Sequence, residues 1–119
     1  MSNELINFEI LFSDEFKARL RTLAKRYRSI QTDLQPLIQE LQAGNLVGDQ
    51  IVGTGYTTFK VRLKNSDIQK GKSAGYRVIY QLKEATIILL VTIYSKSDRD
   101  SIAADKIRDI IVNFDNTTP

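Results

Sequence analysis

The chain has 119 residues, of which 42% are apolar and 26% charged, and its formal net charge is +3. This length and balance are typical of one folded domain with a modest core and exclude a disordered chain. The chain contains no Cys and no His, so disulfides, thiolate metal sites and nucleophiles activated by histidine are excluded.

No segment predicts secretion or membrane insertion. The longest apolar run, residues 87–93, is far shorter than the roughly 20 residues that span a bilayer. The first residues show no basic stretch followed by an apolar one, as a secretory signal would. We therefore expect a cytoplasmic protein that does not bind membranes.

The first half of the chain predicts a strand followed by two helices. Apolar residues alternate along residues 6–12, which indicates a strand with one buried face. Ser13 is then a suitable N-cap for a helix whose apolar residues recur at helical spacing. A second helix is predicted to begin at Thr32, which forms a capping box with Gln35, and to end at Gly44. The short connection between the two helices favours an antiparallel helical hairpin.

The second half predicts three strands and a last helix. Residues 45–58 contain three glycines without a clear period, and we interpret them as an irregular loop. Strands follow over residues 56–64, 75–82 and 86–94, the last of them apolar on both faces and hence central. A final helix is predicted to follow a cap at Ser97 or Asp98, and residues 116–119 form a frayed tail.

The order β-α-α-β-β-β-α predicts an α+β fold. We expect a single domain over residues 1–115, with a largely antiparallel four-stranded sheet, a helical hairpin packed on it and all helices on one face. No internal repeat, linker or low-complexity segment divides the chain.

Positive charge is unevenly distributed along the chain. Residues 60–99 carry nine Lys and Arg against three carboxylates, and residues 15–28 carry six against one. On the strand over residues 56–64, Lys60, Arg62 and Lys64 alternate with apolar residues and therefore share one face of the sheet. Such a row of cations on an apolar backing is typical of a surface that binds a polyanion, and RNA is the polyanion we favour.

The same residues, taken in order, resemble a known family. The predicted fold and several short motifs are similar to the RelE/ParE superfamily of bacterial toxins from toxin–antitoxin modules, in its HigB-like or RelE-like branch. The resemblance covers most of the chain. Its motifs are KVRLK at residues 60–64, GYRVIY at 75–80, GDQI at 48–51, KGKS at 70–73 and IYSKS at 93–97.

The resemblance implies the small RelE-like fold and a metal-independent endoribonuclease that cuts mRNA in the ribosome and needs no cofactor. It implies catalytic roles for Arg77, Lys60 and Arg62. It also implies RNA binding by Lys64, and by Lys96 and Arg99 as neighbours of the position where RelE has an arginine. We further expect Lys72 and Tyr94 to bind RNA. The expected partners are mRNA, the ribosome and a cognate antitoxin, an acidic or amphipathic segment bound through the helical hairpin and the sheet edge.

Cations alone can catalyse this reaction, because the 2′-hydroxyl of RNA attacks the neighbouring phosphate. Arg77 would stabilise the added negative charge, since guanidinium matches phosphate oxygens with two donors. Crowding by other cations would lower the pKa of Lys60 and make it a candidate base, with Lys72 or Lys96 as the acid. Tyr76 and Tyr80 are expected in the core rather than against a base.

Two other functions stay open from the sequence. A ParE-like protein on the same fold would inhibit DNA gyrase and cleave nothing. An inactive relative would act only in complex with an antitoxin. The second alternative rests on Ser97 and Ala103, which stand where RelE has an arginine and a functional tyrosine.

Overall fold

The computed structural model describes residues 7–68, 71 and 74–117. The described residues form three helices and five strands, and the five strands make one sheet. No helix among them is long and apolar enough to cross a membrane. The elements are β1 (Glu9–Phe12), α1 (Asp14–Arg26), α2 (Ile30–Gln42), β2 (Asp49–Ile51), β3 (Thr58–Leu63), β4 (Tyr76–Glu84), β5 (Ile87–Ser95) and α3 (Ala104–Thr117).

The sheet has the order β1-β5-β4-β3-β2, with β4 and β5 at its centre. All neighbouring pairs are antiparallel except β1 and β5, which are parallel. The α+β class is therefore confirmed, but the prediction of four strands was wrong by one. The extra strand β2 lies in the segment interpreted as a loop. Its three residues are too few for a visible period, and it forms only because β3 offers a free edge.

Helices cover both faces of the sheet, whereas the sequence predicted them on one. The hairpin of α1 and α2 packs on the face that carries Val78, Ile88 and Leu90. Helix α3 packs on the opposite face, against Ile79 and Leu89 among others. The reason is that β4 and β5 are apolar at both alternating positions, so an uncovered face would leave a large apolar surface in water.

Helix α1 begins at the predicted cap, but α2 and α3 do not. The Ser13 side chain accepts a hydrogen bond from the Phe16 backbone N–H at 2.9 Å. Helix α2 begins two residues before Thr32, and α3 begins only at Ala104, because Asp98 is bound to the Arg26 guanidinium instead of capping a helix. Helix α3 continues to Thr117 and so includes two residues of the predicted tail.

Replacement of Ser13 by Ala tests the joint between β1 and α1. The buried Ser13 hydroxyl also donates to the Val91 carbonyl at 2.6 Å, so one side chain caps α1 and holds it to β5. We expect Ser13→Ala to lower the free energy of unfolding by about 1–3 kcal/mol in urea titrations. The control is Ser29→Ala, since Ser29 precedes α2 without a side-chain capping bond; equal losses in both variants would contradict this role.

Candidate nucleic-acid interface

A row of three polar side chains crosses the centre of the sheet. Arg62 on β3 lies directly opposite Arg77 on β4, and Arg77 lies directly opposite Tyr94 on β5. Residues paired across antiparallel strands point to the same face, and adjacent strands are about 4.8 Å apart. The three side chains therefore share one face over about 10 Å; we call them the cationic row. Lys60 and Lys64 flank Arg62 on the same face by strand alternation.

Helix α3 is anchored toward the other end of this face. The first turns of α3 adjoin the loop between β2 and β3, where the Arg108 guanidinium donates to the Gly53 and Thr54 carbonyls. Its last turns approach the β4–β5 turn, where Lys83 forms an ion pair with Asp115. Both ends of the helix are thus anchored at one end of the strands, and the cationic row lies toward the other end.

Exposure differs sharply among the predicted site residues. Arg62, Lys64 and Arg99 are exposed, and Lys60 is half-buried. Arg77 is only 5% exposed, and its Nη1 lies 3.3 Å from the Tyr76 carbonyl oxygen to which it donates. Arg77 is therefore the buried member of the row and contributes little to its exposed surface. Lys72 lies outside the described residues.

Tyr94 is buried in the cluster under α3, with 6% of its surface exposed. It therefore offers no open ring face for a base to stack on. Its hydroxyl has no hydrogen-bond partner among the described residues. Burial raises the pKa of Tyr94, while the nearby charges of Arg77 and Arg99 act in the opposite direction. The phenol thus lies within the electrostatic reach of two guanidinium groups.

The turn after β5 holds the remaining predicted residues. The Lys96 ammonium forms an ion pair with Asp100 at 2.7 Å, and this hydrogen bond lowers the pKa of the Asp100 carboxyl. The Lys96 backbone N–H donates to the Gly75 carbonyl at 2.9 Å, which ties the turn to the start of β4. Ser97 bonds to Ser95 within the same turn.

Sequence reasoning missed the contacts that fix the end of β3 beside the row. Asn65 is fully buried, and its side-chain oxygen accepts from the Asp67 backbone N–H. Asp67 in turn accepts from the Ser29 backbone N–H, and Asp33 accepts from Ser66, so the turn is bound to the helical hairpin. Short polar side chains that hydrogen-bond nearby backbone are turn signals, but their partners on the helices are not visible in sequence.

The prediction for the two other tyrosines is confirmed. Tyr76 and Tyr80 are fully buried and face the helical hairpin, opposite to the cationic row. Tyr76 contacts Tyr27 edge-on at 5.9 Å between ring centroids, and Tyr80 stacks on Phe59 at 5.1 Å. Burial raises the pKa of both phenols. These rings hold the strands to the helices and are not available to RNA.

The fold has a counterpart among solved structures. The structure is similar to that of a double arginine-to-alanine variant of the E. coli toxin RelE in the free state, with a TM-score of 0.55. The match covers 90% of this chain and 96% of that chain at 16% sequence identity. No protein-family model and no curated protein matches the sequence. The chain therefore has a RelE-like toxin fold.

Replacement of Gly75 by Ala tests the joint between β3 and β4. A Cβ atom on Gly75 would lie 1.9 Å from the Leu63 carbonyl oxygen, which is backbone and cannot rotate away. We expect Gly75→Ala to lower the free energy of unfolding by at least about 2 kcal/mol, measured by urea denaturation. The matched control is Gly71→Ala, where a Cβ meets nothing within 4 Å. An unchanged stability of Gly75→Ala would contradict the close approach.

Replacement of Tyr94 by Phe tests its unsatisfied hydroxyl. At pH 7 we expect stability to be unchanged or higher, because no hydrogen bond is lost. The folded pKa of Tyr94 lies above the unfolded value of about 10, so its contribution is present below that pH and is lost as pH rises further. The stability advantage of Tyr94→Phe should therefore grow above about pH 10. A constant difference across alkaline urea titrations would refute this.

Proposed function

We propose that this protein is the toxin of a toxin–antitoxin module and acts in the cytoplasm as a ribosome-dependent mRNA endoribonuclease. The observation that carries the proposal is the cationic row, in which the exposed Arg62 directly opposes the buried Arg77. Like charges directly opposite each other destabilise a sheet. Their retention at the centre of this one supports a binding role for a polyanion, and the RelE-like fold supports the toxin class.

The reaction uses the 2′-hydroxyl of the substrate as nucleophile. Its oxygen attacks the adjacent phosphorus, the bond to the 5′ oxygen breaks, and the products are a 2′,3′-cyclic phosphate and a 5′-hydroxyl. Arg62, which is exposed, contacts the phosphate that gains negative charge, and Arg77 beneath it adds a fixed positive charge. We assign proton removal to Lys60 and proton delivery to the leaving oxygen to Lys96, which Asp100 orients.

The proposed dependence on the ribosome rests on the lack of a strong general base in the site. The chain contains no His, and an ordinary lysine is a weak base at neutral pH because its pKa is about 10.4. Alignment of the 2′-hydroxyl with the phosphate must then supply much of the rate, and a ribosome that positions the mRNA would supply it. An antitoxin that silences the site would lay an acidic or amphipathic segment across the cationic face.

Arg62→Ala is the sharpest test, since this exposed residue can be truncated without a cavity. We expect cleavage of mRNA on programmed ribosomes to fall by about 100-fold or more, because a charged group that stabilises the transition state is removed. Primer extension gives the cleavage rate, and end analysis of the fragments should show the cyclic phosphate. The matched control is Lys106→Ala, which removes an exposed cation of α3 that is not part of the row and should cleave normally.

Cell-based outcomes separate the alternatives. A folded Arg62→Ala protein that cleaves at the full rate would overturn the nuclease proposal. Growth arrest with intact transcripts and a DNA-damage response would point to gyrase inhibition instead. Arg77→Ala is also expected to lose cleavage, but because Arg77 is buried its folding must first be verified by circular dichroism and urea denaturation.

A further inference from the structure

A second basic region lies on α1, outside the cationic row. Lys17, Arg21 and Lys25 are all exposed and follow each other at intervals of four residues. Four residues advance about 6 Å along a helix and keep side chains on one face. We call these three residues the α1 stripe. None of them forms an ion pair with another described residue.

Repulsion between the cations of the stripe destabilises helix α1. Like charges four residues apart on a helix are destabilising by a few tenths of a kcal/mol per pair, and the stripe contains two such pairs. The other cations of α1 are neutralised: Arg19 pairs with Glu15 at 2.9 Å, and Arg26 pairs with Asp98 at 2.9 Å. A helix whose charged side chains serve only solubility would alternate positive and negative residues. The stripe, whose positive charges are not neutralised, therefore indicates an anionic partner.

The stripe and the cationic row meet at one edge of the sheet. Strand β1 pairs with β5 only as far as Leu90, so no described strand covers the outer edge of β5 beyond that residue. A cavity of about 140 Å³ lies at this open edge. It is lined from both sides, by Arg19 and Thr22 of α1, by Tyr94 of the row and by Asp98 and the exposed Arg99. Arg19 and Asp98 are each paired with an opposite charge, so Arg99 supplies the positive charge between the two regions.

The chemistry of the stripe favours RNA over a protein. The centre of a protein interface is rich in aromatic and apolar residues and poor in lysine. The exposed uncharged residues between the cations of the stripe, Ala18 and Thr22, offer no large apolar anchor. A phosphate backbone requires only cations spaced along its length.

We propose that the α1 stripe is a second RNA-contact surface, reached by a strand that leaves the cationic row and passes around the open edge of β5. The inference rests on the proposed function, because it takes the row as the place where RNA is held for cleavage. It adds that nucleotides outside the cleaved step bind on the opposite face of the sheet, through phosphates rather than bases.

The stripe can be tested by a binding measurement that does not depend on cleavage. The ligand is unstructured 2′-O-methyl RNA, which cannot be cleaved. Fluorescence anisotropy would compare an oligonucleotide of about four nucleotides with one of about sixteen. The variant carries Lys17→Gln, Arg21→Gln and Lys25→Gln. We expect its affinity for the long RNA to fall up to about 100-fold at 0.1 M salt, and the salt slope to decrease by about two. Affinity for the short RNA, which reaches only the row, should be unchanged.

Two controls separate lost contacts from lost charge or lost folding. The single variants Arg21→Gln in the stripe and Lys106→Gln on α3 each remove one positive charge, and only Arg21→Gln should weaken binding of the long RNA. The triple variant should be at least as stable as the original protein, because repulsion within α1 is removed.

Unchanged binding of the long RNA by the triple variant would overturn the inference, as would equal losses for both RNA lengths. Stripe-dependent binding of polyglutamate as tight as that of the long RNA would overturn it in favour of an acidic protein partner. Arg62→Ala should weaken both RNA lengths. If it weakens neither while the triple variant still loses the long RNA, the row fails as the cleavage site and the stripe stands as an RNA surface.

Discussion

The register of β4 against its two neighbours is the constraint on which the site depends. Both faces of β4 are buried, so a slip by one residue would move Tyr76, Val78 and Tyr80 out of the core that the helical hairpin covers. The same slip would carry Arg77 to the hairpin face and separate it from Arg62. The packing of large aromatic side chains on one face thus determines which side chains meet on the other. Gly75 contributes at the start of β4, where only hydrogen fits beside the Leu63 carbonyl.

Helix α3 covers only part of this face. It packs with Ile79, Leu89 and Tyr94, and it is held at one end of the strands by Arg108 and Lys83. Toward the other end Arg77 is buried, whereas Arg62 on the neighbouring strand is exposed. The exposed positive charge on this face is therefore presented by β3, and the centre of the sheet is covered.

Much of this fold was predictable, because long elements have a clear period. The alternation along β3 and the doubly apolar β5 identified the sheet, and Ser13 identified the start of α1. What sequence alone did not reveal depends on tertiary contacts. Strand β2 exists through its partner β3, and the placement of α3 on the second face follows from which apolar set the hairpin leaves uncovered. Asp98 is of a residue type that often caps helices, but its carboxylate forms an ion pair with Arg26.

The candidate site was predictable to a similar depth. Alternation placed Lys60, Arg62 and Lys64 on one face, and the pairing of Arg62 with Arg77 agrees with that expectation. Burial was not predictable, since it depends on what packs above each residue. Arg77 and Tyr94 lie at the floor of the row rather than on its surface. The resemblance to RelE named Arg77 and Arg62 alike, yet only the structure distinguishes the exposed Arg62 from the buried Arg77.

The two basic regions share one physical feature, which is repulsion that the fold tolerates. Arg62 opposes Arg77 across two strands, and the α1 stripe stacks like charges along one helix. Other cations of α1 are paired with carboxylates, as in the pairs of Arg26 with Asp98 and Arg19 with Glu15. The α1 stripe forms no such ion pair with another described residue, and Arg62 is exposed beside Arg77. Exposed positive charge that no nearby carboxylate neutralises attracts anions, and this supports the proposal that both faces bind RNA.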